Sequence, residues 1–178
     1  MTTKGKKNDI HPQYFRMPVA LAPDTGNPIE VNKPTPVVSN IGTNRSLVME
    51  LLKVMAAISP PPIQDADENS IQFSLNDRAN AGVLEWDDPG CIVHDAHHVQ
   101  VLDSAATDGT VAVDLGFRTR FYDLTDGAGN GPIFAGPALY LVAQNDASLA
   151  TDTPVWMAIL FRMVEVSAQE YAQALAFP

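Results

Sequence analysis

The chain has 178 residues, 46% of them hydrophobic, and a formal net charge of −10. That length and apolar content suit one domain with a sizeable core and exclude global disorder, while the acidity excludes a globally basic nucleic-acid binder. A single cysteine, Cys91, excludes an intrachain disulfide framework and a Cys-rich zinc site; no apolar run approaches a membrane span and no signal peptide is visible, so the chain reads as soluble and unprocessed, with no membrane partner.

The first eight residues, MTTKGKKN, carry Lys4, Lys6 and Lys7 and no acid. A short basic arm on an acidic body could contact phosphates without sequence preference; the charges alone fit a soluble terminus equally well. Six prolines then fall between Pro12 and Pro36. Proline fixes φ and removes a donor, so this segment predicts an extended arm with an edge strand around Met17 to Leu21.

SLVMELLKVMAAI (46–58) has helix-forming composition but leaves no clean polar stripe, and SPPP ends it abruptly. It predicts a long buried strand. SIQFSLND (70–77) alternates Ile71, Phe73 and Leu75 with polar residues, the two-residue period of a half-buried strand. Further strands are expected over 91–102, 110–117 (Val111, Val113, Leu115 and Phe117 on one face), 138–144 and 153–166. The stretches between them, NDRANAG, DDPG, ATDGT, TDGAGNG and QNDASLATDT, are turn chemistry. In SAQEYAQALAF, Ser167 and Glu170 have capping-box spacing, predicting a helix from about Ala168 to Ala176. Many short strands and almost no helix point to a β-sandwich or barrel. A run apolar on both faces, 153–164, suits a strand covered on two sides.

The histidine-rich stretch HDAHH looks at first like a metal site. On a strand, His94 and His98 share one face about 13 Å apart, and Asp95 and His97 share the other; zinc needs ligand nitrogens at about 2 Å. No metal and no cofactor is expected. Cys91 reads as a small apolar filler. No G-x-S-x-G elbow occurs, and DGAGNG lacks both the Lys-Ser/Thr and the following helix of a phosphate loop. No catalytic residue is assigned, and the chain is not expected to be an enzyme.

FYDLTDGAGNGPIFAGPALYLV (121–142) resembles a stretch in the capsid proteins of small circular single-stranded DNA viruses, the smacoviruses and related environmental genomes, where a DLTDGAGHG turn precedes a small apolar strand. Asn130 stands where histidine is expected. RSLVMELLKV (45–54) is similar to an early strand of that family, and ILFRMVEVSAQEY (159–171) to its closing strand and turn. The arm, with three lysines, is less basic than the family implies, and the chain ends soon after Tyr171.

The resemblance implies an all-β single jelly roll: two packed antiparallel four-stranded sheets, an extended arm over 1–16, a capsid domain over 17–166 and a C-terminal helix and tail over 167–178. It also implies a coat subunit that assembles with itself into a small icosahedral shell in the virion, around non-specifically held nucleic acid, most simply single-stranded DNA. Lys4, Lys6 and Lys7 are then the weak nucleic-acid contacts. Asp126, Gly127, Gly129 and Gly131 form a structural turn, and apolar residues beyond the core's needs, such as Trp156 or Tyr140, lie between subunits. Two rivals share the architecture. A carbohydrate-binding jelly roll needs exposed aromatics, and both tryptophans fall in or beside expected strands; a cupin-like metalloenzyme is weakened by the histidine spacing.

Overall fold

The computed structural model describes residues 12–21, 27–37, 44–58, 69–103, 110–114, 119–145 and 153–176. Among them the chain forms β1 (Gln13–Leu21), β2 (Ile29–Pro34), β3 (Arg45–Ile58), β4 (Asn69–Asn76) and β5 (Cys91–Asp103). Then follow β6 (Thr110–Asp114), β7 (Thr119–Asp123), β8 (Ile133–Phe134), β9 (Ala138–Asn145), β10 (Thr153–Ser167) and the helix α1 (Ala168–Ala176). One sheet has the order β1-β10-β3-β7, with β8 also paired to β3, and the other has the order β2-β9-β4-β5-β6. Each pairing is antiparallel.

This order is what a long antiparallel ribbon gives when it is rolled up. β1 pairs with β10, β2 with β9, β3 with β7 and β8, and β4 with β5. Rolling then brings β10 against β3 and β9 against β4. The fold is a jelly roll. Each sheet has five strands where the sequence reading has four, because β6 is added at one edge and the strand beside β3 is broken into β7 and β8.

The core lies between the sheets. β10 sends Val155, Met157, Ile159, Phe161 and Met163 inward, and they meet Ile71, Phe73 and Leu75 of β4 and Leu139 and Leu141 of β9. β10 is central in its sheet, between β1 and β3; its outward Val164 and Val166 are covered by α1, while its outward Trp156 and Leu160 are half-buried.

The proline-rich segment is less of an arm than its composition suggests. β1 begins at Gln13, ahead of the expected boundary at residue 17, and pairs with β10 over its whole length. β2 lies wholly inside the segment read as arm. Pro18 and Pro34 are tolerated because β1 and β2 are edge strands, where one row of backbone donors has no ladder to join. Met17, Val19 and Leu21 alternate into the core and hold β1 there. β6 ends at Asp114, and Leu115 and Phe117 lie outside the described residues.

Helix α1 starts through reciprocal capping. Glu170 Oε2 accepts from Ser167 N at 2.8 Å, and the Ser167 hydroxyl accepts from Glu170 N at 3.2 Å. The Ser167 N–H holds the Glu170 carboxyl below its ordinary range.

A polar clasp joins the sheets at the end where β5 faces β7. Asp95 of β5, which is buried, accepts from the Arg120 guanidinium and the Tyr122 hydroxyl of β7. Burial, then the hydrogen bond to Asp95, raises the Tyr122 phenol above its ordinary range. A raised phenol stabilises the fold fully below about pH 10, and that contribution is lost as pH rises through the folded value. Tyr122→Phe should therefore destabilise the protein by about 1 kcal/mol at neutral pH. Chemical denaturation from pH 7 to 11 should show the wild-type advantage shrinking at the alkaline end; equal midpoints at pH 7 would remove the clasp's importance.

Candidate functional site

The outer face of the sheet containing β10 and β3 is covered unevenly, in three zones. At one end α1 lies across it, packing Tyr171 and Ala174 with Val48, Val164 and Val166, which the strand period turns away from the core.

The middle zone carries charge. Glu50 and Arg162 are partners in the β3–β10 register and meet in a bidentate pair, Nε to Oε2 at 2.6 Å and Nη2 to Oε1 at 2.7 Å. Glu50 is only 4% exposed. The glycine loop, residues 124–132, covers the pair: Gly131 N donates to Glu50 Oε1 at 2.9 Å, and Arg162 Nη2 donates to the Gly129 carbonyl at 3.1 Å.

The loop exists because of an irregularity in β3. The β3–β10 register shifts between Leu160 and Phe161, opposite Lys53 and Leu51, leaving Leu52 as the extra residue of a bulge. β7 pairs with β3 up to Lys53, and β8 resumes the pairing at Glu50. Across the bulge the chain detours: Leu124 N donates to Leu52 O, and Leu51 N donates to Pro132 O, each at 3.0 Å. Asp126 organises the detour. Its Oδ1 accepts from Ala128 N at 2.9 Å and Asn130 N at 3.1 Å, and its Oδ2 accepts from the Asn130 amide at 3.1 Å. The Asn130 side-chain bond, then the backbone bonds, hold the Asp126 carboxyl below its ordinary range. Gly127 and Gly129 take φ of +80° and +84°, a region costly for other residues. Gly131 has a different reason: a Cβ there would stand 1.7 Å from Leu51 O.

Among the described residues no element covers the third zone, which is largely apolar, with Arg16 and the Lys53–Asp123 pair as its charges. Across β1, β10, β3 and β7 the register aligns Arg16, Ala158, Met55 and Phe121 in one row. Tyr14 and Leu160 lie on one side of that row, Pro18 and Trp156 on the other. Phe121 is 72% exposed and Tyr14 67%; Met55, Trp156 and Leu160 are half-buried. Covering such a side chain is worth about 1.5–3 kcal/mol, so the zone favours association with another apolar surface. Tyr140 is half-buried on β9, in the other sheet, and takes no part in it.

Several residues singled out in the sequence have structural partners. His94 meets Trp86 edge-on, with ring centroids 6.2 Å apart, while Asp95 serves the clasp and His97 is buried. The side chain of His98 lies outside the described residues, as do Lys4, Lys6 and Lys7. The Cys91 thiol donates to Leu84 O at 3.7 Å, and burial pushes its pKa up to about 11. Trp86 differs from the sequence reading: it lies in the β4–β5 loop and is 60% exposed. Sequence reasoning missed the Glu50–Arg162 pair, whose signal was the single acid of β3 and the single base of β10, each within an apolar stretch.

The sequence matches no family model and no curated protein. Among solved structures the fold is similar to VP1 of trichodysplasia spinulosa-associated polyomavirus, at 10% identity and a TM-score of 0.50, covering 90% of this chain and 96% of that one. VP1 of Merkel cell polyomavirus gives 11% identity and a TM-score of 0.49 over 86% and 96% of the two chains. Human polyomavirus 12 VP1 gives 11% and 0.44 over 87% and 100%. These neighbours are viral capsid proteins; at such identities the likeness is one of fold.

The loop's geometry ranks its variants. Arg162→Met leaves the buried Glu50 carboxylate without its cation and should cost about 3–5 kcal/mol. Gly127→Ala meets open space and carries only φ strain, about 1–2 kcal/mol. Gly131→Ala must expel the loop from Leu51 and should cost more than Gly127→Ala. Urea midpoints would order the three, and a Gly131→Ala variant as stable as wild type would contradict the close approach.

Proposed function

We propose that this chain is the coat subunit of a small virus of the smacovirus-like, single-stranded DNA type, and that its task is to close a shell with copies of itself. The observation that carries the reading is the bare apolar zone around Met55 and Phe121, on a sheet whose other two zones are already covered from within the chain. A subunit with no partner would gain nothing from holding Phe121 and Tyr14 in water. A jelly roll of the same kind as the polyomavirus VP1 fold supports the architecture, and the three ordered motifs support the kind of virus. Closed symmetry would keep the assembly finite, with interfaces on the order of 1,600 Å². No step of this function calls for a catalytic residue, a metal or a cofactor.

Nucleic acid is the second partner. Of the five described arginines, Arg45, Arg78, Arg120 and Arg162 are each held by a carboxylate of the same chain, and Arg16 is exposed on β1. The basic arm with Lys4, Lys6 and Lys7 is the cluster of cations that would attract phosphates, weak and salt-dependent per chain and strengthened when many copies face one lumen.

Size-exclusion chromatography with electron microscopy tests the assembly. Wild type should elute as particles, and Met55→Ser/Phe121→Asp should elute at single-chain mass with an unchanged melting temperature. A wild-type protein that stays monomeric at working concentration would end the reading. Deleting residues 2–7 should leave particles that form but show a lower 260/280 nm absorbance ratio; an unchanged ratio would remove the arm from packaging.

A further inference from the structure

The β4–β5 loop, residues 77–90, holds Trp86 where two strands of different sheets approach each other. Its indole stands edge-on to His94 of β5, 6.2 Å between centroids at 82°, and tilted to Tyr122 of β7, 6.4 Å at 56°. Contact on these sides leaves the residue 60% exposed. The loop is braced in this position. Arg78 is paired with Asp88 at 2.8 Å, Asp88 accepts from Gly90 N at 2.7 Å, and Asp77 N donates to Gly90 O at 3.0 Å. Trp86 is therefore held out by the backbone around it.

The polar groups of the elements that meet at this indole are of both kinds. Glu85 and Asp87 flank it and are exposed acceptors. The Arg120 guanidinium, 38% exposed and two residues from Tyr122 on β7, supplies donors and is held by the same Asp95 that fixes the Tyr122 hydroxyl. Asp88 and Asp95 are neutralised by Arg78 and Arg120. A cationic ligand would use the acceptors and the aromatic faces but would be repelled by the guanidinium. An anionic ligand would meet Glu85 and Asp87 unpaired. A neutral sugar ring matches the whole set: its C–H face covers an indole, and its hydroxyls both donate and accept.

We propose that Trp86, Tyr122 and His94, with Arg120 and Glu85 at the margin, form a binding site for the neutral hexopyranose end of a glycan. Trp86 is the stacking platform, Tyr122 and His94 set its tilt, and Arg120 and Glu85 take the hydroxyls. The site is complete within one chain, so it does not depend on the assembly reading.

The probes are lactose, maltose and N-acetyllactosamine as neutral sugars, 3′-sialyllactose as the anionic one and tetramethylammonium as the cationic one. Each is titrated into wild-type protein with tryptophan fluorescence as the readout, and calorimetry repeats the measurement. At least one neutral sugar should give a saturable change with Kd near about 1 mM, at least tenfold tighter than sialyllactose or tetramethylammonium. Trp86→Ala should abolish that signal with an unchanged melting temperature and unchanged particle yield. Arg120→Lys should weaken binding severalfold while keeping the charge. No saturable response to any neutral sugar would overturn the proposal, as would preferred binding of the anionic or cationic probe. Loss of particles in Trp86→Ala would assign the indole to a subunit contact instead.

Discussion

The outer face of one sheet is organised by a carboxylate that cannot be left alone. Glu50 is buried on β3, and an isolated buried charge costs several kcal/mol. Arg162, directly across on β10, neutralises it, but a bidentate pair still leaves lone pairs and N–H groups to satisfy. The glycine loop supplies the missing partners through Gly131 N and Gly129 O. The loop can reach them only because the bulge at Leu52 breaks the neighbouring strand into β7 and β8. Bulge, glycines and ion pair therefore form one device, and none of the three makes sense without the others.

That device also decides what the face offers to the outside. On one side of it α1 seals the valine patch, and on the other no described element covers the sheet up to Phe121 and Tyr14. A covered zone beside an open zone gives the face a polarity along the strands. A flat apolar sheet would pair with copies in many registers, whereas an edge made by a rigid loop fixes where a neighbouring surface must stop. In the proposed shell, specificity of association would come from the covered part and its strength from the open part.

How much of this was legible depended on the range of the interaction. The helix was readable to its bounds, because the Ser167–Glu170 box acts over three residues. β4 was readable from alternation and β3 and β10 from their apolar runs, whereas β7 and β8, the two short strands flanking the glycine loop, were not among the expected strands. β2 was hidden by prolines, since composition does not say whether a strand is at an edge. The Glu50–Arg162 pair joins residues 112 positions apart, and no local pattern links them. Trp86 was misjudged for a related reason: its neighbours in sequence suggest a strand end, but its exposure is set by Arg78, Asp88 and Gly90 bracing the loop.

The exposed aromatics are held in water by two different means. Phe121 points outward because β7 alternates, and the residues on either side of it, Arg120 and Tyr122, are fixed inward by Asp95. Trp86 points outward because its loop is braced, and it leans on the same Tyr122. One buried carboxylate thus sets the direction of β7 and, through Tyr122, the tilt of the indole. The bare sheet face and the aromatic cluster are two surfaces with one internal support. Loosening that support disturbs both, while altering Phe121 or Trp86 alone touches only one. The surfaces can therefore be varied separately by substitutions that leave Asp95, Arg120 and Tyr122 in place.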